Sequence, residues 1–138
     1  MPKFSATSTG RLSSCDDRLQ ELFLNVIEFR DCIILEGSRS KATQDKYFRE
    51  GRSKVQWPNS KHNTEPSCAV DVAPYFAESP HVRWNDSKSF YEFAGFVQGV
   101  AATMDPEIRL RWGGDWDSDL DFHDQTFMDL VHFELLET

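Results

Sequence analysis

LVHFELL, residues 130–136, sets Val131, Phe133 and Leu135 in alternation with His132 and Glu134. A period of two marks a strand with one apolar and one polar face. AVDVA, residues 69–73, is a second strand, halted by Pro74, with an acid, Asp71, at the centre of its apolar run. Working outward, CIIL at 32–35 is a short buried run closed by Gly37, and IRLRW at 108–112 alternates until Gly113 and Gly114 end it.

Helical periodicity supplies the layer that covers such a sheet. Between Cys15 and Arg30, Leu19, Leu22, Phe23, Val26 and Ile27 recur at helical spacing, with Ser13 or Ser14 as N-cap ahead of Asp16 and Asp17. Their stripe is core packing. A second helix is predicted from Lys41 to Glu50, with Ser40 as N-cap, Tyr47 and Phe48 on its inner face and Gly51 as the stop. A third, carried by Phe90, Phe93, Ala94, Val97 and Val100, starts near Asp86 or Ser87 and ends near Met104. The polar stretch 51–67, with Pro58 and Pro66, is a long loop of the kind that is functional or mobile in a compact domain. The expectation is one α+β domain over residues 1–138, about three helices around a small, mostly antiparallel sheet.

The 138 residues carry 15 Lys+Arg against 23 Asp+Glu, a net charge of −8, and 39% of them are hydrophobic. A chain of that length buries roughly 70% of its unfolded surface, enough for a core without disulfides. The acidic balance and the lack of a basic stripe argue against a nucleic-acid or anionic-membrane partner. Cys15, Cys32 and Cys68, an odd number without close pairing, read as reduced thiols. The N-terminal MPKFSATSTGRLSSC has no apolar signal-peptide core, and no stretch approaches the roughly 18 apolar residues of a membrane span. The chain is therefore expected to be cytoplasmic when made, monomeric and without membrane insertion.

Chemistry concentrates on the strands. Asp71 lies between Val70 and Val72, and His132 between Val131 and Phe133, while His62 precedes Asp71 in a loop able to fold back over it. Buried acids are rare unless paired or bound to metal, and two His with one carboxylate form the three-ligand set of a catalytic zinc site with an open fourth position. Spacing alone leaves satisfied core or surface residues as the competing reading. A base is also needed: Glu134 shares a face with His132, whereas Asp129 reaches the site only if the strand begins after it. Pattern does not choose between them. Arg39, at the mouth of the loop after residues 32–35, is either an oxyanion or substrate partner or a solvated surface arginine.

Four blocks carry a resemblance: GSRSKATQDKYFREGRS (37–53), SKHNTEPSCAVDVAPY (60–75), RLRWGGDWD (109–117) and FMDLVHFEL (127–135). In this order they resemble the zinc peptidoglycan peptidases, which include D-alanyl-D-alanine carboxypeptidases and dipeptidases and the L-alanyl-D-glutamate endopeptidases of phage endolysins, and share a fold with the hedgehog signalling domain. The resemblance implies zinc ligands at His62, Asp71 and His132, Asp129 as general base in preference to Glu134, and Arg39 as the charge that contacts substrate and polarises the scissile carbonyl. Gln44 would order the Arg39 loop, and Ser60 would hydrogen-bond substrate. The family usually has a Gly between its first His and the Asp; Pro66 and Ser67 occupy that region here.

WGGDW (112–116) is more similar to the phage L-alanyl-D-glutamate type than to the D,D-carboxypeptidases. The implied function is zinc-dependent cleavage of the L-alanyl-D-glutamate bond of the peptidoglycan stem peptide, at the cell wall in the periplasm after holin-type release. D,D-carboxypeptidase activity and a non-catalytic zinc-containing binding module of the same fold are the alternatives. His81 and His123 read as loop residues, His123 close enough to Asp129 to be a substrate or supporting contact. Asp115, Asp117, Asp119 and Asp121 resemble the start of a calcium loop, but Leu120 and Thr126 stand where an EF-hand needs Gly and Glu. A solvated loop or an irregular cation site remains for them. Trp112 and Trp116 either line the cleft or pack.

Overall fold

The β-period segments pair into an antiparallel sheet of order β1-β2-β4-β3, where β1 is Cys32–Glu36, β2 Ala69–Pro74, β3 Leu110–Trp112 and β4 His132–Leu135. The computed structural model describes residues 2–120 and 129–136. Register does the functional work: Asp71 lies opposite His132, Val70 opposite Phe133, and Arg111 opposite Glu134. A shift between Ile34 and Glu36 brings Glu36 opposite Asp71, the kind of bulge that re-aims a side chain at the rim of a sheet.

Among the described residues four α-helices accompany the sheet, where about three are expected: α1 Ala6–Leu12, α2 Asp17–Ile27, α3 Lys41–Arg49 and α4 Ser87–Thr103. α1 is the addition. Its sequence, ATSTGRL, has no apolar stripe, and its task is polar. Ser8 Oγ accepts the Ile34 N–H at 3.1 Å and Arg11 donates to the Ile34 carbonyl at 3.0 Å. The helix thereby closes the open edge of β1, which would otherwise present unpaired backbone groups.

The cap of α2 is Asp16, whose side chain accepts from Arg18 N, not Ser13 or Ser14. Ser14 Oγ instead donates to the Arg11 carbonyl and accepts the Ser38 N–H, tying α1 to the loop after β1. Ser40 caps α3 as expected. The buried residue of α3, however, is Gln44, while Phe48 is exposed. Gly51 ends the helix with φ +74, a left-handed conformation that favours glycine.

One face of the sheet carries the core. Ile34, Val70, Val72, Phe133 and Leu135 pack against Leu19, Leu22, Phe23 and Val26 of α2 and Phe93, Ala94 and Val97 of α4. Phe133 takes Phe23 and Phe93 edge-on, with centroids at 5.7 and 6.3 Å, a favoured aromatic geometry. Cys15, Cys32 and Cys68 are free thiols. Burial pushes the Cys15 thiol up to about 12, so it packs as a small hydrophobe. Among the described residues, no helix is long and apolar enough to cross a membrane.

Candidate metal centre

The opposite face of the sheet gathers the polar residues. Asp71 of β2 and His132 of β4 meet through their register, and the turn Lys61–Asn63, a short 3-10 helix, lowers His62 onto them. Ser60 caps that turn by accepting the His62 N–H at 3.2 Å, and Asn63 Oδ1 accepts the Ser60 N–H at 3.1 Å. Arg39 N–H donates to the His62 carbonyl at 2.8 Å, fastening the turn to the loop after β1.

Three donor atoms converge. His62 Nε2 lies 3.1 Å from Asp71 Oδ1 and 3.2 Å from His132 Nδ1, and His132 Nδ1 lies 3.3 Å from Asp71 Oδ1. In a tetrahedral zinc site with bonds of about 2.0–2.1 Å, neighbouring ligand atoms stand about 3.3–3.4 Å apart. The outer ring nitrogens fix the tautomers. His62 Nδ1 donates to the Gly37 carbonyl at 2.7 Å, which can only accept, and His132 Nε2 faces the Glu134 carboxylate at 2.8 Å. In the neutral rings each inner nitrogen then offers a lone pair to the common centre, the arrangement by which outer partners orient metal ligands. Two imidazole lone pairs and a carboxylate make a set that a zinc ion fits.

Electrostatics agree with a cation at this point. Burial alone would raise the Asp71 carboxyl, but His62 and His132 hold it below the ordinary carboxylate range. Burial alone would lower His132, yet Asp71 and Glu134 raise it to about 9. Burial and the charge of Asp71 push Asp129 upward, opposed by His132, His62 and Arg39. For Glu134, burial is outweighed by His132 and Arg111, which lower it.

Glycine places the candidate base. Gly113 exchanges backbone bonds with both Asp129 and His132: the Asp129 N–H donates to the Gly113 carbonyl and the Gly113 N–H to the His132 carbonyl, each at 2.9 Å. A Cβ on Gly113 would stand 1.9 Å from the Asp129 carbonyl oxygen, so no other residue fits there. Trp112 adds an indole N–H bond to the Leu130 carbonyl at 2.9 Å. Asp129 thus precedes β4 and still joins a cavity of about 380 Å³ with His62, His132, Arg39 and Ser60.

Arg39 is held from several sides. Its Nε donates to Glu36, NH1 to Gln44 Oε1 at 2.9 Å, NH2 stands 3.7 Å from Asp71 Oδ2, and the guanidinium lies over the Tyr47 ring at 4.7 Å. Gln44, fully buried, also takes a bond from Asn63 and donates to Ser53 and Val55. Arg111 donates to the Glu134 carboxylate at 2.8 and 3.2 Å, so Glu134 is occupied by two partners.

The residues that sequence reasoning missed are Glu36, Tyr47, Asn63 and Arg111. Arg111 stood in the polar phase of IRLRW, but its partner follows only from the strand register. Trp112 packs in the core, and Trp116 lines the cleft against His132 at 5.3 Å. His81 stacks on Tyr75 outside the cleft. Asp115, Asp117 and Asp119 bring one oxygen each within 4.8 Å of one another. Asp121 and His123 lie outside the described residues.

The sequence model of a family described as phage L-alanyl-D-glutamate peptidase matches residues 1–136. The L-alanyl-D-glutamate peptidase of Escherichia phage T5 is 29% identical over 126 residues, covering 89% of this chain and 88% of that protein. The crystal structure of the Serratia marcescens L-Ala D-Glu endopeptidase ChiX superposes with a TM-score of 0.75 at 26% identity, covering 97% of this chain and 90% of that one.

Proposed function

The chain belongs to the phage L-alanyl-D-glutamate peptidase family, and from that premise we propose that it hydrolyses the L-alanyl-D-glutamate bond of the peptidoglycan stem peptide with a zinc ion held by His62, Asp71 and His132. The observation that carries the reading is the convergence of those three donors at tetrahedral spacing. Names of two relatives supply the bond.

When bound, zinc supplies Lewis acidity that activates water and polarises a carbonyl. Asp129 takes the proton from the attacking water and returns it to the departing amine. Its raised affinity for protons suits that exchange. Arg39, fixed by Glu36 and Gln44, meets the oxygen of the scissile carbonyl as negative charge develops there. Ser60 uses its acceptor on the His62 N–H and keeps its hydroxyl proton for substrate. Glu134 acts through His132 rather than as the base, because its carboxylate is engaged by His132 and Arg111. The product, a severed stem peptide, makes the enzyme an endolysin-like wall-degrading hydrolase that acts in the periplasm.

Digestion of purified peptidoglycan with and without a chelator tests this. Fragment masses should show new L-alanine C-termini and D-glutamate N-termini only when metal is present. Release of free D-alanine instead would mean a D,D-carboxypeptidase, and absence of any metal-dependent cut would leave a binding module.

A further inference from the structure

The cleft reverses the sign of the molecule. A chain of net charge −8 lines its cavity with Arg39, Arg52, Lys54, Lys61 and Arg111 against the acids Asp129 and Glu134. Arg39 and Arg111 serve the metal centre through Glu36 and Glu134. The other three, Arg52, Lys54 and Lys61, come from one segment between α3 and β2. A cavity of about 380 Å³ is about 9 Å across if spherical, close to the Debye length of about 8 Å at physiological salt, so these charges act on whatever enters.

That segment is also built to a fixed distance from the chemistry. Gln44 donates to the Val55 carbonyl at 2.8 Å and Ser53 Oγ at 2.9 Å, while its Oε1 accepts from Arg39 and Asn63. One buried amide thus ties the cationic segment to Arg39 and to the His62 turn. Arg52 stacks on Tyr47 at 4.1 Å, the ring that also carries Arg39. Lys61 adjoins His62 directly in the capped turn.

We propose that Arg52, Lys54 and Lys61 form a carboxylate-binding wall that selects anionic peptides and fixes the direction in which the substrate lies. The inference rests on the activity proposed above. In an L-alanyl-D-glutamyl peptide the alanine side of the scissile bond has no carboxylate to offer. The glutamate is linked onward through one carboxyl and keeps the other free, and any further carboxylates lie beyond it. An anion-binding wall beside His62 therefore receives the departing, glutamate side, leaving the alanine side toward Arg111 and Trp116.

The test compares two soluble L-alanyl-D-glutamyl peptides, one with free carboxylates beyond the scissile bond and one with the same groups amidated. The readout is the ratio of their kcat/KM values, which cancels any loss of folded enzyme. The zinc-loaded wild type should prefer the free peptide about tenfold, and Lys54→Glu and Lys61→Glu should each cut that ratio about fivefold, the upper range for a partly exposed charge pair. Lys88→Glu, an equal charge change on α4 away from the cavity, should keep it. A wild-type ratio near one, a ratio untouched by Lys54→Glu and Lys61→Glu, or one equally lowered by Lys88→Glu would overturn the wall while leaving the peptidase reading intact. Cleavage of neither peptide by the wild type would overturn both.

Discussion

His132 and Phe133 are neighbours on β4, both buried, yet they belong to different parts of the protein's physics. Phe133 points into the apolar layer between the sheet and helices α2 and α4. What matters there is volume and contact, which are non-directional. His132 points to the face where Asp71, His62 and Glu134 meet. There every atom has a named partner, and geometry decides. One strand delivers stability through its odd residues and chemistry through its even ones, so the two should be separable by mutation.

The sharpest break comes on the polar face. His132→Ala removes one of the three proposed ligands and should abolish measurable zinc binding in a competition titration, along with hydrolysis. Asp129→Asn should keep zinc and lose about 10²–10⁴-fold in kcat, the range of general base catalysis. It should also stabilise the ion-free protein at neutral pH. The Asp129 carboxyl is raised in the fold by burial and Asp71, so the folded state binds the extra proton and its stability falls as pH rises above the ordinary carboxylate range. Below about pH 4, where the group is protonated in both states, the gain should vanish. Denaturant titrations of chelated protein across that range check the sign; a destabilised Asp129→Asn protein at neutral pH would contradict it.

On the apolar face, Phe133→Ala should cost about 3–5 kcal/mol of unfolding free energy, since a fully buried aromatic leaves a cavity between Phe23 and Phe93. The folded fraction should still bind zinc. Loss of zinc affinity in protein shown to be folded would mean that the two faces are coupled through the strand.

The faces differ in how far sequence reveals them for the same reason. Apolar periodicity announces α2 and α4, alternation announces β3 and β4, and an apolar run halted by Pro74 announces β2, because burial of each element imposes its own pattern. Asp71 and His132 were visible as polar residues in apolar settings, and His62 as a loop histidine close enough to fold back over Asp71. What stayed hidden depends on pairing: α1 exists to satisfy Ile34 on the edge of β1, and no apolar stripe marks it. Gln44 could be read as ordering its loop, but its bonds to Ser53 and Val55 join segments that sequence leaves unconnected. That Glu134 is engaged by a second partner, which favours Asp129 as the candidate base, required knowing that Arg111 stands opposite Glu134.

That pairing yields the smallest and most specific expectation. Glu134 accepts from His132 Nε2 at 2.8 Å and from Arg111, so it holds the tautomer that leaves Nδ1 free for metal. Glu134→Gln keeps the shape and one acceptor oxygen but loses the charge and turns an NH2 group toward either Arg111 or His132, both of which are donors. Zinc affinity should fall about 10–100-fold, as for other carboxylates behind a ligating histidine. Because Glu134 is lowered in the fold chiefly by His132 and then by Arg111, its contribution to stability is present above the ordinary carboxylate range and lost as pH falls through its depressed folded value. Hydrolysis at saturating zinc should recover most of its rate, since the proposed base, Asp129, is a different residue. If saturating zinc restores nothing, Glu134 handles the proton itself and the division of labour between the two carboxylates is reversed.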